Sequence, residues 1–332
     1  MTIRTAILGC GGFANKHAEN LSSLPEKIEL VAFCDIDRSH AEAYAQKYSQ
    51  GKAAIYTDHH ELFARTKLDL VVIGLPPFGH SDEVEIAASK GIHILIEKPI
   101  ALTSSQAWKM VEAAEKAGIK TQVGFMYRFG AAVEALRRMI ASGEAGPVGL
   151  MSARYFCNSL HSNWWRMRAK SGGQLVEQVI HMVDLMRYLM GDPLTVYSLQ
   201  NNLFHRQVAD YTVEDVSGTV MGFKEGGIGV IYATNGAIPG KWINDYRLVA
   251  KNLTAEFTDA NHATFTFTNR AYLQMNTIAS DQDYYKLELL DLLRAMEEGG
   301  TTRTPLREGA LSLDLALAAT RSAESGAVVK MA

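Results

Sequence analysis

Short apolar runs alternate with amphipathic segments over the first third of the chain. The apolar runs stop at glycine, proline or aspartate, and the segments between them carry alanine and long side chains at helical spacing. Near-continuous apolar strands separated by helices are typical of a parallel sheet covered on both faces, so we expect a doubly wound Rossmann domain. Its predicted strands are 5–8, 28–33, 54–56, 70–73, 92–96 and 121–124, and its helices are 15–23, 39–48, 58–64, 80–90 and 104–116.

The pattern changes after Phe125, where strands with alternating apolar and polar positions dominate. This alternation predicts a C-terminal α/β domain with a large open, mainly antiparallel sheet. The expected strands are 149–157, 194–203, 217–223, 228–234, 246–250, 253–257 and 263–267, and the expected helices are 133–141, 174–190, 284–298 and 309–325. The sequence therefore predicts one domain at 1–124 and a second domain at 125–332.

Composition narrows the class of protein. The chain has 332 residues, 47% of them hydrophobic, and a formal net charge of −3 with no lysine- or arginine-rich run. These values indicate folded domains, and the sequence offers no basic segment of the kind that binds nucleic acid. We recognise neither a secretory signal nor an apolar run long enough for a membrane span. Three cysteines at no metal-type spacing favour free thiols, so we expect a cytoplasmic protein.

A glycine-rich turn joins the first predicted strand to the first predicted helix. Its residues are Gly9, Cys10, Gly11, Gly12, Phe13 and Ala14. They match G-x-G-x-x-G/A in the strand–turn–helix context that dinucleotide binding requires. Gly9 permits the tight turn, Gly11 lets the backbone approach a pyrophosphate, and small Ala14 lets the helix pack closely on the sheet. A glycine turn without a ligand is the alternative that the motif alone leaves open.

Charged residues at the ends of two strands extend this interpretation. Asp35 follows the second strand, where a carboxylate accepts hydrogen bonds from the adenine ribose and disfavours a 2′-phosphate. Arg38 instead favours NADP, because an arginine can pair with a phosphate. We expect NAD on the strength of Asp35, with NADP possible. Lys98 follows the fifth strand, where a cation beside an alcohol favours the alkoxide that gives up hydride. An exposed Glu97–Lys98 pair is the alternative, and we expect a cis peptide bond between Lys98 and Pro99.

Several motifs, taken in order, resemble the Gfo/Idh/MocA oxidoreductases, the relatives of glucose–fructose oxidoreductase and inositol dehydrogenase. They are GCGGFA (9–14), CDIDR (34–38), LPPFGH (75–80), EKP (97–99), GFMYRF (124–129) and SGGQLVEQVIHMVDLMRYLMG (171–191), followed by a similar closing stretch at 301–331. The resemblance covers essentially the whole chain. It implies NAD(P)-dependent hydride transfer at a hydroxyl or carbonyl carbon of a sugar, sugar derivative or cyclitol. It also implies that the domain at 1–124 binds NAD(P), that the domain at 125–332 serves substrate binding and oligomerisation, and that a homodimer or homotetramer forms through the C-terminal sheet.

The resemblance further implies roles for single residues. Lys98 matches the lysine that contacts substrate and nicotinamide, and His181 matches the catalytic histidine, whose imidazole accepts the hydroxyl proton. Further cofactor-binding positions are Leu75, Pro76, His80, Glu97 and Arg128, and Tyr127 joins the substrate site.

The segment around His181 departs from the family's usual D-x-G-x-H, because Glu177 and Val179 replace aspartate and glycine. Glu177 and His181 are four residues apart, which places them on one face of the expected helix. Glu177 can still orient His181 or contact a substrate hydroxyl, so it is the third catalytic candidate. A surface Glu–His pair is the alternative. A metal is not expected, since no third ligand follows at helical spacing.

Aromatic and basic residues before this helix are candidates for substrate recognition. An indole can cover the apolar face of a sugar ring, and arginine can bind hydroxyls or an acid group. We expect Trp165 and Arg166 to face the substrate, although a tryptophan that anchors the loop is the alternative. Tyr155 and Asn158 are further candidates, and Trp242 is expected to pack on the sheet.

The resulting prediction is an NAD(P)-dependent dehydrogenase or reductase that acts on CH–OH groups. One alternative is a non-catalytic NAD-binding sensor or regulatory protein on the same fold, which would need neither Lys98 nor His181. Another is an enzyme that recycles hydride on tightly held NADP, or a reductase of an aromatic substrate.

Overall fold

The computed structural model describes residues 2–331, and the chain divides into two compact units. Unit 1 contains the chain up to Gly124 together with Tyr285–Ala310. Unit 2 contains Phe125–Tyr284 and the chain from Leu311 onward. Within the described residues, no helix combines the length and the apolar character needed to cross a bilayer.

Unit 1 is built on a six-stranded parallel sheet. Its strands are β1 (Ile3–Leu8), β2 (Ile28–Cys34), β3 (Ala54–Tyr56), β4 (Leu70–Ile73), β5 (His93–Ile96) and β6 (Thr121–Val123). The helices between them are α1 (Ala14–Ser22), α2 (Arg38–Ser49), α3 (His59–Arg65), α4 (Glu83–Ser89) and α5 (Ser104–Ala117). The strand order β3-β2-β1-β4-β5-β6 is that of a Rossmann fold, as expected from the alternating pattern.

Unit 2 is built on a nine-stranded sheet. Its strands are β7 (Val148–Phe156), β8 (Pro193–Asn201), β9 (Val216–Phe223), β10 (Ile228–Thr234), β11 (Tyr246–Ala250), β12 (Leu253–Asp259), β13 (His262–Phe267), β14 (Gln274–Ile278) and β15 (Val329–Lys330). The order is β14-β13-β12-β11-β7-β10-β9-β8-β15. Only β7 and β10 pair in parallel among these strands, which confirms the expected open, mainly antiparallel sheet.

One face of this sheet carries the core of unit 2. The remaining helices are α6 (Ala131–Ala141), α7 (Arg168–Ser171), α8 (Gln174–Glu177), α9 (Ile180–Met190), α10 (Tyr284–Glu298) and α11 (Leu306–Ser325). Buried residues of α6, α9 and α11 pack with Met151, Ile231 and Phe265 of the strands in one cluster. Side chains alternate along a strand, so Leu150, Val220 and Tyr232, which are exposed, lie on the opposite, open face of the sheet.

The helix expected over 174–190 is interrupted. The Val179 amide donates to the carbonyl of Gln174 at 3.0 Å, an i→i−5 bond that inserts a π-type turn between α8 and α9.

Two strands of the nine-stranded sheet were not predicted from the sequence. β14 is an edge strand with four polar or exposed positions that break the alternation, and β15 has only two residues.

The segment 285–310, which the sequence pattern assigns to the second domain, belongs to unit 1. The reason is α10, since its Leu289, Leu292 and Leu293 are buried in the same cluster as Ile7 and Leu95 of the parallel sheet. An amphipathic helix shows that one of its faces is buried, but its pattern does not identify the partner.

Candidate active site

The glycine turn after β1 is packed on one side and open on the other. Gly9 has φ +89°, and a Cβ there would lie 2.7 Å from the Gly74 carbonyl oxygen, so only glycine fits. A Cβ on Gly74 would in turn lie 3.2 Å from the Ala14 Cβ, which shows how closely α1 approaches the sheet. By contrast, a Cβ on Gly11 or Gly12 would meet no atom of the described residues within 4 Å.

Hydrogen bonds from α2 and β2 hold the turn. The Tyr44 hydroxyl donates to the Gly11 carbonyl at 2.6 Å, and burial raises the pKa of that phenol. The Asp35 carboxylate accepts the Cys10 amide at 2.7 Å and the Asp37 amide at 2.9 Å. Asp35 is thereby fixed beside the glycine turn. Arg38 is exposed and pairs with Glu42 along α2 at 2.8 Å.

The start of α1 supplies backbone donors. No side chain among residues 2–331 caps α1, so its first amides are available to an anion. Phe13, at the N-cap, is half-exposed and packs against the rings of His17 and Tyr285 with centroid separations of 6.0 and 5.9 Å.

The loop after β4 carries three of the expected cofactor contacts. Leu75 lies against Gly9, and Pro76 precedes a 3-10 turn over Pro77–Gly79. The His80 imidazole is fully buried and its Nδ1 is 2.6 Å from Glu83, whose pKa this contact helps to lower. His80 therefore anchors the loop through its side chain.

The peptide bond between Lys98 and Pro99 is cis, which confirms the expectation from the sequence. Lys98 follows β5 and is half-buried. Glu97 is buried, and its carboxylate lies 2.6 Å from Nε2 of His17 on α1. The sequence pattern did not single out His17.

His181 lies near the start of α9 in unit 2, and its ring is buried among aromatic side chains. The Tyr127 ring centroid is 5.3 Å away and that of Phe125 is 6.3 Å away. Asn244 donates to the Tyr127 hydroxyl at 3.2 Å, and burial raises the pKa of this phenol.

Arg128, implied by the resemblance to bind the cofactor, is buried inside unit 2. Its guanidinium donates two hydrogen bonds to Asp184 of α9, at 2.8 and 2.6 Å, and stacks on the Tyr188 ring. Ser312 of α11 donates to the same carboxylate at 3.0 Å. These contacts anchor the helix that carries His181, and the role of Arg128 in cofactor binding stays a prediction.

Trp165 and Arg166 have internal partners. The Trp165 indole is 2% exposed and donates to Glu177 at 2.7 Å, so it fixes a catalytic candidate and presents little surface of its own. Arg166 donates to the carbonyls of Leu160 and His161 at 2.8 and 3.1 Å, which closes the preceding loop. Arg168 likewise pairs with the buried Glu214 at 2.9 Å.

An aromatic group at this loop was missed by the sequence pattern. The His161 ring lies 4.4 Å from the Trp165 ring and 5.6 Å from the Trp242 ring, and Trp242 contacts Tyr155 edge-on. Trp242 was expected to pack on the sheet, but it is 54% exposed. Its position between β10 and β11, outside any alternating strand, was the signal available. His161 has φ +52° and its Nε2 lies 2.8 Å from the Gln178 amide; burial lowers its pKa.

The described part of the chain contains one group of three potential metal ligands within 4.8 Å of one another, Asp58, His59 and His60. Both histidines also contact Asp82, at 2.8 and 3.2 Å. This group is largely exposed, and it includes neither Glu177 nor His181.

Comparisons with known proteins agree with both halves of the fold. The model of the oxidoreductase family with an NAD-binding Rossmann fold (GFO/IDH/MocA) matches residues 3–125. The GFO/IDH/MocA C-terminal domain matches residues 133–256.

Curated relatives and solved structures add further similarities. D-glucoside 3-dehydrogenase of Escherichia coli is 31% identical over 242 residues, covering 68% of each chain. Inositol 2-dehydrogenase of Salmonella typhimurium is 29% identical, but the match spans 58% of this chain and 56% of the relative. scyllo-Inositol 2-dehydrogenase (NAD(+)) of Bacillus subtilis is 27% identical over 99% of this chain and 96% of its own. Levoglucosan dehydrogenase in complex with NADH and levoglucosan shares the fold, with a TM-score of 0.89 at 19% identity over 99% of each chain.

Proposed function

Because this chain belongs to the Gfo/Idh/MocA family of NAD-binding oxidoreductases, we propose that it transfers hydride between the nicotinamide and a carbinol carbon of a sugar, sugar derivative or cyclitol. The observation that carries most weight is the glycine turn, which is held in shape by Tyr44 and Asp35 and is open above Gly11 and Gly12. The relatives named for glucosides and inositols support the substrate class.

The residues of the turn fit a dinucleotide. The amides that begin α1, together with the backbone of Gly11 and Gly12, would hold the pyrophosphate. Asp35 would accept hydrogen bonds from the adenine ribose, and its negative charge would oppose a 2′-phosphate, which favours NAD. Arg38 pairs with Glu42, so it offers less to NADP than its position in the sequence indicates.

We assign the proton and charge chemistry to three side chains. When bound, oxidised nicotinamide accepts the hydride that leaves the carbinol carbon. We assign to His181 the role of accepting the hydroxyl proton, and to Lys98 that of stabilising developing negative charge. Glu177 is held by Trp165, so we assign it to a substrate hydroxyl or to the orientation of His181.

The partners of the two arginines before α8 favour an uncharged polyol. Arg166 donates to two backbone carbonyls and Arg168 pairs with Glu214, so both have fewer donors left for an acid group of a substrate. Trp242 replaces Trp165 as the proposed indole for the apolar face of a sugar ring, because it is the exposed one of the two.

A substrate panel tests the function directly. Wild-type protein with NAD+ is assayed for NADH formation on inositols, neutral glucosides, levoglucosan and sugar acids. We expect turnover of neutral polyols, and we expect Lys98→Met and His181→Ala to abolish turnover while NADH binding, followed by fluorescence, persists. NADH binding without turnover of any polyol would favour the sensor alternative.

We also propose that the open face of the nine-stranded sheet binds a second copy of the chain. The face carries exposed apolar side chains of adjacent strands, namely Leu150, Leu199, Val220, Ile228 and Tyr232. Contiguous apolar patches of this kind are typical of interfaces.

We propose a cytoplasmic location for the protein. The three cysteines, all in the described region, are free and buried, which supports it.

A further inference from the structure

A buried contact joins His17 to Glu97, the residue that precedes the proposed catalytic Lys98. We propose that His17 is a positioning residue: it holds the Glu97 carboxylate in the place that orients the backbone at Lys98. This inference rests on the proposed function, because it concerns the lysine assigned to that reaction.

The contact joins two segments 80 residues apart. His17 lies on α1, the helix that begins at the glycine turn, and it is 2% exposed. Its Nε2 is 2.6 Å from Oε1 of Glu97, whose side chain is also buried. The pair therefore connects the proposed pyrophosphate-binding turn to the end of β5.

The second oxygen of Glu97 faces the lysine's own backbone. Oε2 accepts the Lys98 amide at 3.2 Å. On the remaining side, a Cβ added to Gly124 would lie 2.8 Å from each carboxylate oxygen. The carboxylate is thus confined by His17, by the Lys98 amide and by the Gly124 backbone.

A purely structural role would not require this chemistry. A buried carboxylate loses its hydration, and apolar residues of similar volume commonly stabilise a fold as well as a buried polar pair does. The pair lies at the residue that precedes Lys98, where its loss would alter the lysine's position. Displacing a reacting group by about 1 Å lowers a rate on the order of 100-fold.

The test compares His17→Phe, His17→Gln and Leu21→Ala. Phenylalanine keeps a ring beside Phe13 but cannot hydrogen-bond, whereas the glutamine amide can replace the Nε2 donor. Leu21 is buried on the same helix in the unit 1 core, so its truncation controls for weakened packing of α1. We expect His17→Phe to lower kcat about 30- to 100-fold, with KM and the Kd for NADH within about threefold. His17→Gln restores most of kcat, and Leu21→Ala lowers the melting temperature without lowering kcat.

A second measurement does not depend on turnover. The rate at which trinitrobenzenesulfonate labels Lys98 in the NADH complex is followed by peptide mass spectrometry. We expect His17→Phe to increase this rate at least about threefold, because the backbone at Lys98 is freed.

The outcomes separate the two proposals. Wild-type protein that oxidises no polyol overturns the proposed function, while the labelling rates still test the positioning role. Unchanged Lys98 labelling in His17→Phe, or a Kd for NADH that rises as steeply as kcat falls, overturns the positioning role. Gly124→Ala, which would displace the Glu97 carboxylate, should reproduce the His17→Phe result.

Discussion

Replacing Arg128 by methionine distinguishes an anchoring residue from a cofactor ligand. Methionine retains much of the volume of the side chain and removes both hydrogen bonds to Asp184. Asp184 is then left as a buried carboxylate with the Ser312 hydroxyl as the remaining contact described above. Removing one partner of a buried ion pair costs about 3–5 kcal/mol, since the other charge stays desolvated and unpaired.

The loss in the free energy of unfolding of Arg128→Met is measured by urea denaturation, with fluorescence followed through the unfolding transition of unit 2. A loss of about 3 kcal/mol lowers the folding equilibrium constant more than 100-fold. In the double variant Arg128→Met/Asp184→Leu neither charge of the pair remains, so neither is left buried without the other. We therefore expect this variant to be at least about 2 kcal/mol more stable than the sum of the two single changes indicates. Ser312 donates to Asp184 and accepts from the buried Arg187 guanidinium at 2.9 Å. Ser312→Ala removes these two contacts and keeps the Arg128–Asp184 pair, so it should cost about 1.5–3 kcal/mol.

NADH affinity provides the opposing readout. If Arg128 anchors α9, the Arg128→Met variant at a temperature where it is folded binds NADH as the wild type does. A stability loss below about 1 kcal/mol together with a Kd for NADH raised tenfold or more would refute the anchoring argument and restore the cofactor role implied by the resemblance.

Four shorter predictions follow from the same geometry. Gly11→Ala should leave the melting temperature unchanged but weaken NADH binding at least about tenfold, because the added methyl group enters the open space above the turn. Gly9→Ala should instead lower the melting temperature, because the φ of Gly9 is +89°. Trp242→Ala should raise KM for a neutral polyol at unchanged kcat and stability, and an unchanged KM would contradict its proposed contact. Burial lowers the pKa of His161 below the ordinary histidine value of about 6.5, so the unfolded chain binds the proton at a higher pH than the folded chain does. Stability should therefore fall as the pH drops through about 6.5, and less steeply in His161→Gln, as measured by denaturation at a series of pH values. Val220→Lys should shift the molecular mass in light scattering toward the monomer, with NADH binding retained.

Local patterns were sufficient for most of the architecture. The apolar runs and the turns between them determine which segments form strands and helices, because period and chain reversal are properties of neighbouring residues. The glycine turn was recognised for the same reason, since the conformation of Gly9 and the position of Asp35 depend on a strand, a turn and the next strand in fixed order. The family motifs placed Lys98 and His181 as candidates on this frame.

The tertiary structure decided which side chains are exposed and which partners they have. Trp165 and Trp242 are equivalent by residue type, yet one is buried on Glu177 and the other is half-exposed. Arg128 has Asp184 as an ion-pair partner 56 residues away, and His17 has Glu97 as a partner 80 residues away. Burial and charge pairing depend on segments that are distant in sequence, and this is why the alternation of apolar and polar residues determines the elements while packing determines the site.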